Sequence, residues 1–159
     1  MQPTSRDSPA ELACAIRPPR PTDLDRMAAL AGQLGYPSTA EQVRARLEHM
    51  QDPGGYAVFV AELPGGPLAG WIGVYMFRTV ETDSHAEISG LVVDEALRSR
   101  GVGKLLLDAA EAWARSRGCG TMTVRSNVIR DRAHAFYERY GYLCTKTQKT
   151  FRKRIATLA

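Results

Sequence analysis

Arg98-Ser99-Arg100-Gly101-Val102-Gly103-Lys104 is the stretch that decides how this 159-residue chain is read. It lies between a β-branched run, Gly90-Leu91-Val92-Val93-Asp94, and the most regular amphipathic segment of the sequence. In that segment Val102, Leu105, Leu106, Ala109, Ala110 and Trp113 recur at the spacing that lines one face of a helix, and Gly118 closes it. The two glycines therefore stand at a helix start. A helix N-terminus leaves its first backbone N–H groups without intrahelical partners and carries partial positive charge. Glycine lets the backbone approach a ligand closely, and Arg98, Arg100 and Lys104 strengthen the field. The pattern is that of a phosphate or diphosphate cradle.

Two familiar phosphate loops do not fit. A Walker A loop needs glycine where Arg98 stands and Ser or Thr where Leu105 follows Lys104. A dinucleotide fingerprint needs a third glycine at Leu106.

Outward from the loop, the elements form a mixed order. Upstream, Tyr56–Glu62 and Leu68–Arg78 flank Pro64-Gly65-Gly66-Pro67 as a hairpin, and His85–Asp94 adds a third strand. Farther upstream, Leu24, Met27, Ala28, Ala31 and Leu34 predict a helix over 23–34, with Thr22 and Asp25 spaced as a capping box. Val43, Leu47 and Met50 predict a second helix over 39–51, capped by Ser38 with Glu41. Cys14–Arg17 reads as a short strand ended by Pro18-Pro19. Downstream, Thr121–Arg125 is a strand. Ala133, Phe136, Tyr137 and Tyr140 make a short helix, and Tyr142–Cys144 and Thr147–Arg154 are closing strands. The predicted order is β-α-α-β-β-β-α-β-α-β-β: an α/β chain forming one domain over 14–159 after a flexible tail, 1–13.

Composition sets the class. With 44% hydrophobic and 24% charged residues, the chain is neither disordered nor fibrous. No apolar run approaches the ~20 residues a bilayer requires. Cys14, Cys119 and Cys144 have no metal or disulfide spacing, so the expectation is a cytoplasmic protein without a metal. His49, His85 and His134 show no ligand spacing, and His85-x-Glu87 lacks the cysteine pair of a zinc deaminase. Charge is split. Residues 1–95 carry 7 Lys/Arg against 13 Asp/Glu, a net of −6, and residues 96–159 carry 14 against 4, a net of +10. The basic half suits an anionic ligand and the acidic half a cationic one. Few aromatics interleave with the cations, which argues against nucleic acid.

Arg-x-x-Gly-x-Gly, preceded by Gly90–Asp94, resembles the acetyl-CoA signature of the GNAT superfamily of N-acetyltransferases. Asn127, followed by Arg132-Ala133-His134-Ala135-Phe136-Tyr137-Glu138-Arg139-Tyr140-Gly141-Tyr142, resembles the second motif of that superfamily. The resemblance is specific over about 85–143 and rests on element order alone before that. It implies a mixed sheet splayed between the fourth and fifth strands. It also implies acetyl-CoA as co-substrate and direct attack by a primary amine of a small molecule or peptide within a ternary complex. A non-catalytic acyl-CoA sensor on the same fold is the alternative, and a homodimer is a plausible assembly.

The resemblance also assigns roles. Amides of Arg98, Ser99, Arg100, Gly101, Val102, Gly103 and Lys104 would hold the diphosphate, with Arg130 and Arg132 as further cations near the phosphates. The pantetheine arm would pair with the strand at Leu91, Val92 and Val93, and Asn127 would hydrogen-bond it. The Leu91 N–H would polarise the thioester carbonyl. Tyr137 would protonate the departing thiolate, and it is named among the cofactor contacts too. Glu87 is the candidate base: strand alternation places it on one face with Ser89, Leu91 and Val93, and removal from water strengthens a carboxylate as a proton acceptor. Leu34, Tyr36, Glu81 and Asp83 mark the acceptor side, where acidic residues favour a cationic amine.

Overall fold

The computed structural model describes residues 10–50 and 54–155. Positions 1–9 of the expected tail, and position 51 at the end of the second predicted helix, lie outside the described residues. The elements are β1 (Ala15–Arg17), α1 (Leu24–Gln33), α2 (Ala40–His49), β2 (Tyr56–Glu62), β3 (Leu68–Phe77), β4 (His85–Val93), α3 (Val102–Ser116), β5 (Met122–Val124) and α4 (Asp131–Arg139). Two compact units divide after Val124.

The first unit holds one five-stranded sheet in the order β1-β2-β3-β4-β5. The first four strands are antiparallel, and β5 runs parallel to β4. Side chains alternate across the sheet, so its two faces are covered by different helices. Val60 and Val92 pack with Met27, Leu30 and Val43 beneath α1 and α2, and Trp71 closes on this cluster while donating to the Met27 carbonyl at 3.3 Å. Gly70, one residue from Trp71, faces the other way, against Leu106 of α3. Val102, Leu106 and Ala110 are buried as the helical period of this segment predicts, whereas Leu107, outside that period, is also fully buried and Leu105, Ala109 and Trp113 are only partly so. Cys119 is a packing thiol, its Sγ 3.4 Å from the Met76 sulfur.

A branched ion pair holds β1. Arg17 reaches both carboxylate oxygens of Asp23 (2.7 and 3.0 Å) and both of Glu62 (2.7 and 3.0 Å). Its guanidinium, first through the hydrogen bonds it donates, holds both carboxyls below the ordinary range.

Four expectations change. The first cap is not Thr22 with Asp25: the Asp23 carboxylate accepts from the Arg20 N–H at 2.6 Å instead. The second is Thr39 with Gln42, one residue past the Ser38–Glu41 pair, bonded reciprocally at 3.0 and 3.2 Å. The closing strands Tyr142–Cys144 and Thr147–Arg154 do not form, because no neighbouring strand offers them a ladder among the described residues. The fourth concerns β4. Gly73 pairs with Gly90 and Val74 with Ile88, so Ser89 is an extra residue, a β-bulge. A bulge reverses the alternation beyond it. Glu87 shares its face with Tyr75, its cross-strand partner, whereas Leu91 and Val93 face the α3 side with Ile72 and Gly70.

Candidate functional site

Room for the bulge comes from Gly73. A Cβ there would lie 2.4 Å from Ser89 Oγ, which accepts from the Tyr56 hydroxyl at 2.6 Å. Past the bulge, β4 loses its parallel neighbour: β5 pairs only Ala86, Glu87 and Ile88. The strands are thus splayed from Ser89 to Val93. The Asp94 N–H donates to the Ala69 carbonyl at 2.7 Å, which fixes the phase of the antiparallel ladder. By alternation Val92 and Gly90 bond to β3, whereas Leu91 and Val93 turn their N–H and C=O groups toward the side β5 has left. Arg98 Nε reaches that Val93 carbonyl at 3.4 Å. Val92 differs from expectation. Its side chain is core and its backbone faces β3, so it offers nothing to an arm laid along the open edge.

The loop follows directly. Asp94 caps the short turn Glu95–Leu97 by accepting from the Ala96 N–H at 2.9 Å. From α1, Arg26 pairs with Asp94, and Gln33 accepts from the Glu95 N–H at 3.0 Å. The Arg26 guanidinium outweighs burial and holds the Asp94 carboxyl below its usual range. Ser99 (φ 62°) and Gly101 (φ 83°) are both left-handed, and Gly101 opens α3 without a capping side chain. The 15-residue helix thus starts at a glycine cap, with no acidic residue in its first turn. The loop is tethered by the Leu12 N–H, which donates to the Arg100 carbonyl at 3.0 Å, and the neighbouring Glu11 side chain lies against Gly101. Lys104 pairs with Asp108 at 2.5 Å, and Arg98 is exposed. These features suit a diphosphate in kind: a glycine-capped helix start stands beside an open strand edge able to pair with an amide-bearing arm, although the Glu11 side chain lies against Gly101.

The clamp on Asp94 makes one test of the loop's support. Asp94→Asn removes the charge of a buried carboxylate from a partly exposed Arg26 and is expected to lower stability by about 1–3 kcal/mol. That corresponds to a melting temperature lower by about 3–10 °C at neutral pH. Because the folded carboxyl is held low, its contribution is complete above the ordinary carboxylate value of about 3.9 and is lost as pH falls through the lowered one. The gap between the two proteins therefore closes in acid, as melts at neutral and strongly acidic pH would record.

Glu87 is buried, 7% exposed, rather than solvent-facing. Its Oε1 accepts from the Tyr75 hydroxyl at 2.7 Å and its Oε2 from the Thr123 hydroxyl at 3.2 Å. Tyr75 stacks on Tyr56 with centroids 5.7 Å apart, and Phe77 and His85 extend the row. Tyr75 and Thr123, like Arg26 and Gln33 at the loop, escape a sequence reading. Only strand register sets the first pair beside Glu87. Of the residues expected to border the acceptor, Leu34 lies against Gly90, whereas Tyr36 (65% exposed), Glu81 and Asp83 are on loops.

The second unit carries the other predicted residues. Tyr137 on α4 meets Phe136 edge-on at 5.3 Å and Tyr142 at 5.5 Å. Burial pushes its phenol up to about 12, with Arg130 opposing. Asn127 Oδ1 accepts from the Ile129 N–H at 3.2 Å, and its carbonyl accepts from the Arg130 N–H at 3.0 Å, so it shapes the turn into α4. Arg132 lies in the exposed first turn of α4.

Known proteins resemble this chain in sequence and in fold. An uncharacterized N-acetyltransferase, YhdJ, of Bacillus subtilis is 41% identical over 59 residues, 37% of this chain and 42% of that protein. An aminoglycoside N(6')-acetyltransferase of Stenotrophomonas maltophilia is 29% identical over 145 residues, 88% of this chain and 93% of that one. The fold is shared with aminoglycoside N-acetyltransferase AAC(6')-Iy, solved in complex with CoA: TM-score 0.78 and 22% identity over 92% of this chain and 99% of that one. The sequence pattern of one family runs through residues 24–142, from the start of α1 to the aromatic end of the second motif. The open edge of β4, the left-handed loop and the glycine-capped start of α3 all fall inside it, and this chain belongs to the acetyltransferase (GNAT) family.

Proposed function

We propose that the protein transfers the acetyl group of acetyl-CoA to a primary amine of a cationic small molecule by direct attack in a ternary complex. The observation that carries this is the opening of α3 at left-handed Gly101 beside the splayed edge of β4. In this reading the Arg98–Lys104 amides hold the diphosphate, and Leu91 and Val93 pair with the pantetheine arm. The Leu91 N–H polarises the thioester carbonyl, Glu87 accepts the amine proton, and Tyr137 returns a proton to the thiolate. Asn127 and Arg132 contact the CoA from the second unit. Residues 14–159 act as one domain, which the family pattern, continuous across Val124, supports. Leu34, Tyr36, Glu81 and Asp83 border the acceptor. Aminoglycosides head the candidates because a relative matched along nearly its whole length is named for them; polyamines and lysine peptides complete the panel. The test is release of free thiol from acetyl-CoA with each amine, and the acetyl mass gain of the product. CoA binding without thiol release from any amine would favour the sensor instead.

Location and assembly belong to the same reading. The three free thiols suit a reducing cytoplasm. Pairing of two copies is supported by residues 142–155. They are patterned as strands, join no ladder, and leave Leu143, Phe151 and Ile155 at 85%, 88% and 83% exposure. Ending the chain at Cys144 is expected to halve the mass measured by light scattering. A full-length monomer would remove this part of the proposal.

A further inference from the structure

We propose that Tyr75 carries the proton from the acceptor amine to Glu87; this rests on reading Glu87 as the base. The carboxylate is buried, and hydroxyls of both flanking strands point at it: Tyr75 from β3 at 2.7 Å and Thr123 from β5 at 3.2 Å. Among the described residues, these two hydroxyls are groups seen on the carboxylate through which an amine would exchange a proton with it. Thr123 is the central residue of the three-residue β5 and makes the longer bond. Both residues are partly exposed, and Tyr75 makes the shorter bond through the longer side chain.

A phenol donates and accepts at one oxygen. In the proposed step an ammonium N–H bond breaks and its proton passes to Tyr75 Oη. In the same motion the Tyr75 O–H proton passes to Glu87 Oε1. The products are a neutral amine, an unchanged phenol and a carboxylic acid, so atoms and charge balance without another reactant. The row Tyr56, Tyr75, Phe77 and His85 leads to this hydroxyl, with ring centroids 5.7, 6.4 and 4.9 Å apart. Aromatic faces attract a cation, so the row would bring an ammonium, rather than a neutral acceptor, to Tyr75.

Tyr75→Phe keeps the ring and its stack on Tyr56. With the fastest amine of the panel above, kcat is expected to fall at least about tenfold. With the β-fluorinated analogue of that amine, neutral at the assay pH, the loss shrinks to less than about twofold, because no proton need leave before attack. A purely structural role would slow both amines alike, and equal losses overturn the proposal. In a Glu87→Gln background Tyr75→Phe should cost nothing further; independent, multiplying losses overturn it. Thr123→Val should cost less than Tyr75→Phe, and the reverse order overturns it. Without turnover, the Glu87 carboxylate band, isolated as the infrared difference from Glu87→Gln, should move on Tyr75→Phe; a fixed band overturns the contact itself. Full activity in Glu87→Gln would sink the base reading and this step together. Loss in Glu87→Gln with full activity in Tyr75→Phe would sink this step alone.

Discussion

Glu87→Gln is expected to lower kcat about a hundredfold, the lower end of what a positioned general base contributes, with a melting temperature within a few degrees of the parent. The two halves of this expectation have separate causes. Glutamine preserves the shape of the side chain, its carbonyl oxygen can still accept from Tyr75, and its amide can meet the Thr123 hydroxyl, so the polar contacts between β3, β4 and β5 survive. What disappears is the ability to take up a proton. Stopped assays of thiol release at saturating acetyl-CoA, paired with thermal melts, separate the two. A kcat within threefold of the parent would leave Glu87 as a structural carboxylate that ties three strands together.

Tyr137→Phe is the second large effect, again about a hundredfold in kcat, with the KM for acetyl-CoA changed less than about twofold. Phenylalanine retains the ring that packs against Phe136 and Tyr142, so α4 keeps its aromatic cluster. The lost hydroxyl is the group proposed to protonate the thiolate. The sign of its pH dependence follows from its surroundings. An acid must hold its proton to act, and burial pushes this phenol up to about 12. Its deprotonation therefore imposes no alkaline fall in kcat below about pH 10. A wild-type profile that drops near pH 9 and flattens in Tyr137→Phe would contradict the assignment, as would a variant with full turnover.

Local signals were legible from the residues where they settle the matter alone. α3 is such a case: its apolar spacing persists over four turns, and Gly101 and Gly118, which bound it, adopt the left-handed angles glycine tolerates best. The helices over 24–33 and 40–49 and the hairpin around Pro64–Pro67 were equally clear, although the first capping pair slipped by two residues and the second by one. Neighbouring Ser, Thr and Asp compete for the same amides, and the incoming backbone chooses between them. Strand faces were less legible. Alternation put Glu87, Ser89, Leu91 and Val93 together, and a single extra residue at Ser89 undid it. Gly90, an isolated glycine beside Ser89, is the one sign of a bulge within β4; the room for it is written in Gly73, on another strand.

From the amino-acid order alone came the helix that begins at Gly101, the run of β-branched residues before it and the split of charge along the chain. Each depends on spacing or composition within a few turns. The partners of Glu87, the clamp of Arg26 and Gln33 on Asp94, and the direction in which Leu91 and Val93 offer their amides came only with the folded sheet. Those depend on which residue stands across from which, and register between strands is set by packing of distant segments. The same cause left 142–155 without the strands its pattern suggests: a strand needs a neighbour, and a pattern can request one but not supply it.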